Sequence, residues 1–378
     1  MSQKDKHILT RREALRFIGA GVGTSALAGL CLPLSGCSTL DFFLESEREV
    51  TDDTGRVVTV PAEGRLKSIY FTSALAQIFC FTVAPDLLAA TSINFSADQL
   101  EYLPEGTENL SYLGSLSQGG QLDIDALKRE GVQLIFSISG TDLSDVNIED
   151  ALALEKESGI PVFLIDGSYD VIEDTYHVLG ECLGRRERAE ELATYCSSVR
   201  SRVREALSRV PDNELVRYYY AEGPEGLQTE PDNSQHALIF HEACGINAAA
   251  TIEGNTERNR ASVSLEQVVE WNPQVIIAWS QRNNKGSDAY IRQANAWSGI
   301  DAVKNNRVYT MPSIPFPFCD RPPGINRFLG VQWLASVFYP EYFDADMVDI
   351  VREFYAKCYW RDITVEQAQY ILQAGNPD

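Results

Sequence analysis

Short runs of aliphatic residues alternate with longer stretches of helical periodicity along most of the chain. The runs fall at 66–71, 87–91, 134–138, 162–165, 215–221, 275–279 and 308–311. Strands that alternate with helices are typical of a parallel sheet. Before the first run, alternating apolar residues flank the turn sequence of 52–56, which predicts a β-hairpin over 50–61. The pattern predicts an α/β protein that begins with a hairpin.

The alternation is interrupted over 170–210, where apolar residues recur at helical spacing and few helix breakers follow Gly184. Strands then resume, and the chain ends in helices predicted near 327–338 and 344–359. The simplest architecture is two α/β lobes joined by a single long connecting helix. The predicted segments are a signal sequence at 1–36, a tether at 37–48, an N-terminal lobe at 49–168, a connecting helical region at 169–210 and a C-terminal lobe at 211–378.

A short internal repeat links the two predicted lobes. The segment 124–127 leads after six residues to the strand 134–136, and 265–268 leads after six residues to 275–277. Asp125 aligns with Glu266, and Gln133 aligns with Gln274. Because these matches fall at equivalent points, each in a helix that precedes a strand, they indicate related halves.

The N-terminus has the pattern of an export signal, with basic residues followed by an apolar run over 17–34. Arg11 and Arg12 resemble a twin-arginine signal, although Ala14 departs from that pattern and leaves the general secretory route open. The run ends in the sequence Leu-Ser-Gly-Cys, which resembles a bacterial lipobox and predicts lipidation of Cys37. The alternative is a single membrane-spanning anchor. We expect an extracytoplasmic protein, anchored to the cell membrane by lipid.

Composition narrows the function classes. Of 378 residues, 54 are acidic and 32 basic, for a net charge of −22, and no basic stripe follows the N-terminus. Nucleic-acid binding depends on clustered Lys and Arg, so this class is excluded. The cysteines after Cys37 follow no zinc or redox spacing. They could form disulfides in an exported protein or serve as small buried apolar residues.

The order of several segments resembles the solute-binding proteins of ABC transporters, in the iron-chelate and cobalamin class. These segments are the hairpin at 50–61, the sequences at 73–77 and 113–115, the stretch 264–276, and the stretch from Trp297 to Tyr309. The resemblance implies two Rossmann-like lobes, one connecting helix and a ligand cleft between the lobes. It also implies a membrane permease and an ATPase as partners, and we expect a monomer.

The resemblance further implies that one acid on each lobe docks onto arginines of the permease. By position these acids are Asp125 and Glu266, with Asp123 as a competitor in the first lobe. Two separated carboxylates would steer and orient docking. The alternative is that each acid simply stabilises the first turn of its helix.

Ligand residues are expected where strands end at the cleft. In the N-terminal lobe the candidates carry hydroxyls, which also commonly cap helices and turns: Thr72, Ser73, Ser115 and Ser117. In the C-terminal lobe the candidates combine aromatic rings with guanidinium groups that could clamp an anion: Tyr219, Arg258, Arg260 and Trp279.

The proline-rich segment 315–323 is predicted to form a stiff loop that frames the cleft. Phe316 and Phe318 could cover a planar or chelate ligand, and Arg321 could meet its negative charge. Alternatively the loop is structural, with both rings packed under the following helix.

The first function predicted for the chain is capture of a ferric siderophore, haem or corrinoid for an ABC importer. The alternative keeps the fold but changes the cargo to an oxyanion such as molybdate or tungstate, for which Arg258, Arg260 or Arg321 would be decisive. His236 and His241 are five residues apart, which does not suit a shared metal site on a helix. No protein-bound metal, cofactor or enzymatic activity is expected, because no nucleophile elbow, zinc motif or phosphate loop occurs.

Overall fold

The computed structural model describes residues 46–252, 260–279 and 287–373. The strands are β1 Glu47–Thr51, β2 Val57–Pro61, β3 Ile69–Phe71, β4 Leu134–Ser139, β5 Val162–Asp166, β6 Arg217–Ala221, β7 Gln228–Thr229, β8 Ile246–Asn247, β9 Ala261–Ser262, β10 Val275–Ala278 and β11 Val308–Thr310. The helices are α1 Ala74–Val83, α2 Ala97–Leu100, α3 Ile124–Arg129, α4 Asp145–Ser158, α5 Ile172–Leu183, α6 Arg186–Leu207, α7 Leu238–Glu242, α8 Leu265–Trp271, α9 Ser287–Gln293, α10 Asp301–Lys304, α11 Asn326–Phe338, α12 Met347–Tyr359 and α13 Val365–Gln373.

Each lobe is built on its own parallel sheet. The N-terminal sheet has the order β3-β4-β5, and the C-terminal sheet has the order β11-β10-β6-β8. Every residue of β3 and β10 is buried, as expected for strands covered by helices on both faces. The prediction of two α/β lobes is confirmed.

The hairpin at the start of the chain also forms as predicted. Strands β1 and β2 pair antiparallel, and the buried Asp52 carboxylate accepts hydrogen bonds from the backbone N–H of Thr54 and Arg56. The hairpin is fixed to the N-terminal lobe by a bond from Asp53 N–H to the carbonyl of Leu164. An Asp side chain therefore closes the turn that the sequence pattern indicated.

The predicted strand at 87–91 is wrong. The chain there begins with a 3-10 turn over Pro85–Leu87 and pairs with the sheet through one isolated bridge, Leu88 with Ile69, while a second bridge joins Thr91 to Tyr112 outside the sheet. Pro85 fixes the backbone in a turn conformation and supplies no N–H, so the apolar residues that follow are buried without forming a ladder.

The connection between the lobes is a pair of packed helices. Gly184 ends α5 in a left-handed conformation with φ of 65°, a position that suits glycine. The following α6 has 22 residues and spans about 33 Å at 1.5 Å per residue. Its buried face carries Leu192, Val199 and Val203. The helix α6 is the long connecting helix that the periodicity predicted.

The internal repeat has a structural counterpart. The side-chain oxygen of Gln133 accepts from the backbone N–H of Lys67, and the backbone N–H of Gln133 donates to the carbonyl of Ser68. In the same way, the side-chain oxygen of Gln274 accepts from the backbone N–H of Arg217, and the backbone N–H of Gln274 donates to the carbonyl of Arg217. In both lobes a glutamine thus joins the start of the central strand to the start of its neighbour.

The last two helices lie against the N-terminal lobe, although the sequence assigned 211–378 to the C-terminal one. Trp360 Nε1 donates to the carbonyl of Phe81 at 3.0 Å, and Arg361 donates to the carbonyl of Glu101 at 2.9 Å. The rings of Tyr102 and Tyr355 meet edge to face. Helices α12 and α13 return across the lobe boundary because their apolar faces are buried there.

The cysteines of the described residues are all free thiols. Five of them are buried and the sixth is partly buried: Cys80, Cys182, Cys196, Cys319 and Cys358, with Cys244 the last. These residues serve as small apolar groups. None of the helices in the described part of the chain has the length and hydropathy needed to cross a membrane.

Helix α11 supports the proline-rich loop through a close backbone contact at Gly330. A Cβ added there would lie 2.8 Å from the carbonyl carbon of Phe318 and 2.9 Å from Cα of Cys319. We expect Gly330→Ala to lower the free energy of unfolding by about 1–3 kcal/mol, measured by urea titration, because backbone cannot easily yield. Gly299→Ala is the control, since a Cβ there meets nothing within 4 Å. Equal stability of both variants would contradict this packing.

Candidate functional site

Two buried glutamates follow neighbouring strands in the C-terminal lobe. Glu222 comes directly after β6, and the chain turns back through Gly223 and Gly226 so that Glu222 and Gln228 exchange backbone hydrogen bonds. Glu230 then follows β7. Neither glutamate has exposed surface. This narrow hairpin sets two carboxylates side by side at the carboxyl edge of the sheet.

Two arginines meet these carboxylates. Arg260, just before β9, places Nη2 3.0 Å from Glu222 Oε1, and Arg321 places Nε 3.2 Å from the same oxygen. Arg321 Nη2 also donates to Glu230 Oε1. We call Glu222, Glu230, Arg260 and Arg321 the arginine–glutamate cluster. Its formal charges cancel when all four groups are ionised.

Arg321 adopts an unusual backbone conformation. Its φ is 57°, in the left-handed region that non-glycine residues seldom occupy. Besides the two glutamates, its Nε lies 3.2 Å from Asp320 Oδ2. Several ion pairs thus hold the residue in a conformation that costs free energy, which is typical of functional positions.

A second layer of polar groups supports the cluster. Asp320 is fully buried, with Oδ1 2.5 Å from Nδ1 of His236 and 3.9 Å from Nη2 of Arg327. Burial opposes its charge, but the His236 hydrogen bond and the neighbouring guanidiniums hold the pKa of Asp320 below its usual value. Ser234 Oγ donates to Glu230 Oε2 at 2.7 Å. These contacts fix Glu230 and the loop that carries Arg321.

Several buried polar atoms around the cluster have no hydrogen-bond partner within the residues that the structure describes. Among them are Arg260 Nε, Trp279 Nε1 and Glu222 Oε2. The guanidinium of Arg260 lies over the Trp279 ring, 5.3 Å from its centroid, so the two free N–H donors belong to neighbouring groups. Buried polar groups are rarely left unsatisfied, and an orphaned set of this kind is typical of a ligand site.

The N-terminal candidates form one hydrogen-bonded group. Ser115 Oγ donates to the carbonyl of Thr72, and Thr72 Oγ1 donates to Ser137 Oγ. Ser117 N–H donates to Ser115 Oγ. Ser73 caps α1 by accepting from the backbone N–H of Ala76. The structure therefore brings Thr72, Ser73, Ser115 and Ser117 together just beyond the end of β3, where some of their hydroxyl capacity is already used locally.

The two lobes meet between the residues that follow β4 and the proline-rich loop. A Cβ at Gly140, directly after β4, would lie 2.9 Å from Cγ of Pro323 and 3.5 Å from the side-chain oxygen of Gln235. A Cβ at Gly324 would lie 3.0 Å from Leu75. The loop that carries Arg321 is thus packed against the carboxyl edge of the N-terminal sheet, and the cluster lies at the interface of the lobes.

Three of the predicted ligand residues are buried elsewhere. Tyr219 packs near Trp271 and Trp297 and donates its hydroxyl to the carbonyl of Gly226. Its side of the strand faces the core, so it is unavailable to a ligand.

Phe316 packs against Phe95 and Tyr359, and Phe318 is also buried. The prolines of the loop direct these rings into the core, as in the structural alternative for this loop. Phe316 and Phe318 therefore do not cover the cleft.

The predicted docking acids are both exposed in the first turn of a helix. Asp125 lies in α3 and Glu266 in α8. The competitor Asp123 is the N-cap of α3 and accepts from Ala126 N–H at 2.8 Å, which leaves Asp125 free to project. Ser264 and Gln267 form a capping box at the start of α8, as the sequence indicated: the Ser264 side chain accepts from the backbone N–H of Gln267, and the Gln267 side chain accepts from the backbone N–H of Ser264. The predicted residues Arg258 and Cys37 lie outside the described residues.

Sequence reasoning missed Glu230. It follows a strand of only two residues, which has no apolar periodicity, and only tertiary structure brings it to Arg321. The histidines considered for a metal each have a carboxylate partner: His236 with Asp320, and His241 with Asp232 at 3.1 Å. Within the described residues, no three His, Cys, Asp or Glu side chains converge as a metal site.

The chain belongs to the periplasmic binding protein family, whose model matches residues 115–315. This family is a non-enzymatic component of transport systems, and the chain has the two-lobed fold of the ABC-transporter solute-binding proteins of the iron-chelate and cobalamin class.

Particular relatives agree with this assignment. The chain is 27% identical over 340 residues to the molybdate-binding protein MolA of Haemophilus influenzae, covering 85% of this chain and 93% of MolA. It is 24% identical over 205 residues to the ABC transporter substrate-binding lipoprotein YvrC of Bacillus subtilis, covering 51% of this chain and 59% of YvrC. A solved ABC transporter solute-binding protein from Sulfurospirillum deleyianum superposes with a TM-score of 0.75 at 23% identity, covering 86% of this chain and 99% of that one.

Proposed function

We propose that this protein captures a small oxyanion of the molybdate and tungstate type between its lobes and delivers it to an ABC importer. The observation that carries the proposal is the pair of buried N–H donors, Arg260 Nε and Trp279 Nε1, which have no acceptor among the described residues. An oxyanion presents acceptors only, so it would satisfy both donors at once.

The surrounding groups suit the same ligand. Arg321 adds a guanidinium that is held rigidly by three carboxylates. In the N-terminal lobe, the group of Thr72, Ser73, Ser115 and Ser117 offers hydroxyl groups, part of whose hydrogen-bonding capacity is used within the group. The similarity to MolA, which covers 85% of this chain and 93% of MolA, points to the same class of cargo.

A ferric siderophore, haem or corrinoid is the competing cargo, and it was the first expectation from the sequence. The structure offers less to such a ligand, because the rings of Phe316 and Phe318 are buried and leave Trp279 as the partly exposed aromatic residue of the predicted set. A planar chelate is usually held by aromatic and apolar surface. The aromatic residues available here therefore favour the oxyanion.

The proposal includes the location and the partners. The lipobox at 34–37 supports a lipid anchor on Cys37, in line with the similarity to the lipoprotein YvrC. A single acyl chain binds membranes weakly, and several chains together anchor stably. Asp125 and Glu266 are the proposed contacts with the permease, and the protein acts as a monomer.

The test is a thermal-shift panel on the purified protein with molybdate, tungstate, sulfate, ferric siderophores, haem and cobamides. A ligand at 100 times its dissociation constant should stabilise the fold by about 2.7 kcal/mol. We expect this with molybdate or tungstate and not with the chelates. Stabilisation by a chelate or corrinoid alone would refute the oxyanion proposal and support the competing cargo.

A further inference from the structure

The two oxygens of Glu222 have different surroundings. Oε1 lies 3.0 Å from Arg260 Nη2 and 3.2 Å from Arg321 Nε. Oε2 is buried and has no hydrogen-bond partner within the described residues. A charged carboxylate normally accepts several hydrogen bonds, and leaving one oxygen buried without a donor is costly. The surroundings of Glu222 therefore lack a donor that an ionised carboxylate would need at Oε2. In Glu230, by contrast, Oε2 accepts from Ser234 Oγ.

An oxyanion would compete with Glu222 for the same donors. It would bind the guanidiniums of Arg260 and Arg321, which now meet the Glu222 carboxylate. An ionised Glu222 would then lie beside a doubly charged ligand in a buried site, where like charges repel strongly. A proton on Oε2 removes that repulsion and converts the unpartnered oxygen into a donor that an oxyanion can accept from.

We infer that the cleft binds its oxyanion together with one proton held on Glu222. The inference rests on the proposed function and adds the regulation of that site. Where Glu222 is ionised in the free protein, the proton comes from solvent, forms an O–H bond at Oε2 and returns to solvent when the ligand leaves. Binding and release of the cargo are thereby linked to pH.

The surroundings of Glu222 on balance favour its protonated form. Burial raises the pKa of Glu222 to about 8; the Arg321 and Arg260 guanidiniums lower it, and Glu230 and Asp320 raise it. Below this pKa the free protein already carries the proton, so affinity should not depend on pH. Above it, binding must take up the proton, and affinity should fall as pH rises. The ionisable groups that face Glu222, or that pair with its neighbours, are Tyr219, Tyr220, Glu230, His236, Arg260, Asp320 and Arg321.

The test is the dissociation constant for molybdate, measured by calorimetry on the full chain between pH 6.5 and 9.5. We expect a constant value at the lower end and a weakening that approaches tenfold per pH unit, or about 1.4 kcal/mol, above about pH 8.5. Glu222→Gln keeps the shape and a donor but cannot ionise, so its affinity should be independent of pH. Glu230→Gln leaves Glu222 able to ionise, so its affinity should still weaken as pH rises, with the onset moved to lower pH because the like charge of Glu230 is lost.

A second measurement does not depend on any variant. Calorimetry of the wild-type protein in two buffers of different ionisation enthalpy should show uptake of about one proton per molybdate near pH 9 and almost none near pH 7. A slope that persists in Glu222→Gln, or affinity independent of pH in the wild type, would overturn the inference. Failure of molybdate and tungstate to bind at any pH would instead refute the proposed function.

Discussion

Replacing Arg321 with glutamine should abolish high-affinity molybdate binding and also destabilise the fold. This guanidinium meets Glu222, Glu230 and Asp320, all of which are buried. Removal of one partner from a buried ion pair costs about 3–5 kcal/mol, because the remaining charges stay buried without compensation. For the ligand, loss of a buried charged partner costs about 2–5 kcal/mol of binding free energy. Calorimetry with molybdate and urea unfolding measure the two effects.

Two companion variants separate binding from folding. Arg321→Lys keeps the charge but cannot bridge two carboxylates in the plane of a guanidinium, so it should recover part of the stability and little of the affinity. The double variant Arg321→Gln with Glu230→Gln also removes the carboxylate that Arg321 Nη2 contacts, and should unfold at higher urea than Arg321→Gln alone. Wild-type molybdate affinity in a folded Arg321→Gln protein would exclude Arg321 from the site.

The sequence predicted the parts of the fold that local patterns determine. The strands β4, β5, β6, β10 and β11 occur where aliphatic runs indicated them, because a strand buried on both faces needs a continuous apolar segment. The apolar run at 87–91 does not form a strand, since the turn that begins at Pro85 prevents pairing along a ladder. Apolar runs report burial reliably, but they report strand pairing only where the backbone is free to pair.

The site was predicted less completely, because its chemistry depends on tertiary contacts. Arg260, Arg321 and Trp279 were identified from their places after strands and in the proline-rich loop, and the structure brings them together around Glu222. Glu230 gave no local signal. Phe316 was predicted as a ligand residue because a stiff proline-rich loop can expose an aromatic ring to a ligand. The direction of the ring depends instead on the packing partners Phe95 and Tyr359, which are distant in sequence.

The equivalent glutamines also bear on docking. A helix that precedes a strand of a parallel sheet runs antiparallel to it, so its first turn lies at the carboxyl edge of the sheet. Asp125 in α3 and Glu266 in α8 therefore mark the same edge in each lobe, beside the cleft. Gln133 and Gln274 make equivalent hydrogen bonds between strands in the two lobes. Asp125 and Glu266 therefore occupy equivalent positions of the internal repeat. A permease that contacts both acids would sit over the opening of the cleft.

Reversing both charges should therefore stop transport while leaving capture intact. We expect Asp125→Lys combined with Glu266→Lys to reduce molybdate uptake by reconstituted transporter about tenfold or more, because like charges across an interface cost several kcal/mol. Binding of molybdate by the isolated variant should be unchanged, since both acids are exposed and outside the arginine–glutamate cluster. Glu270→Lys, one turn further along α8 and also exposed, carries the same charge change at a position outside the proposed contact. Normal uptake by the double variant, or equal loss in Glu270→Lys, would contradict docking through these two acids.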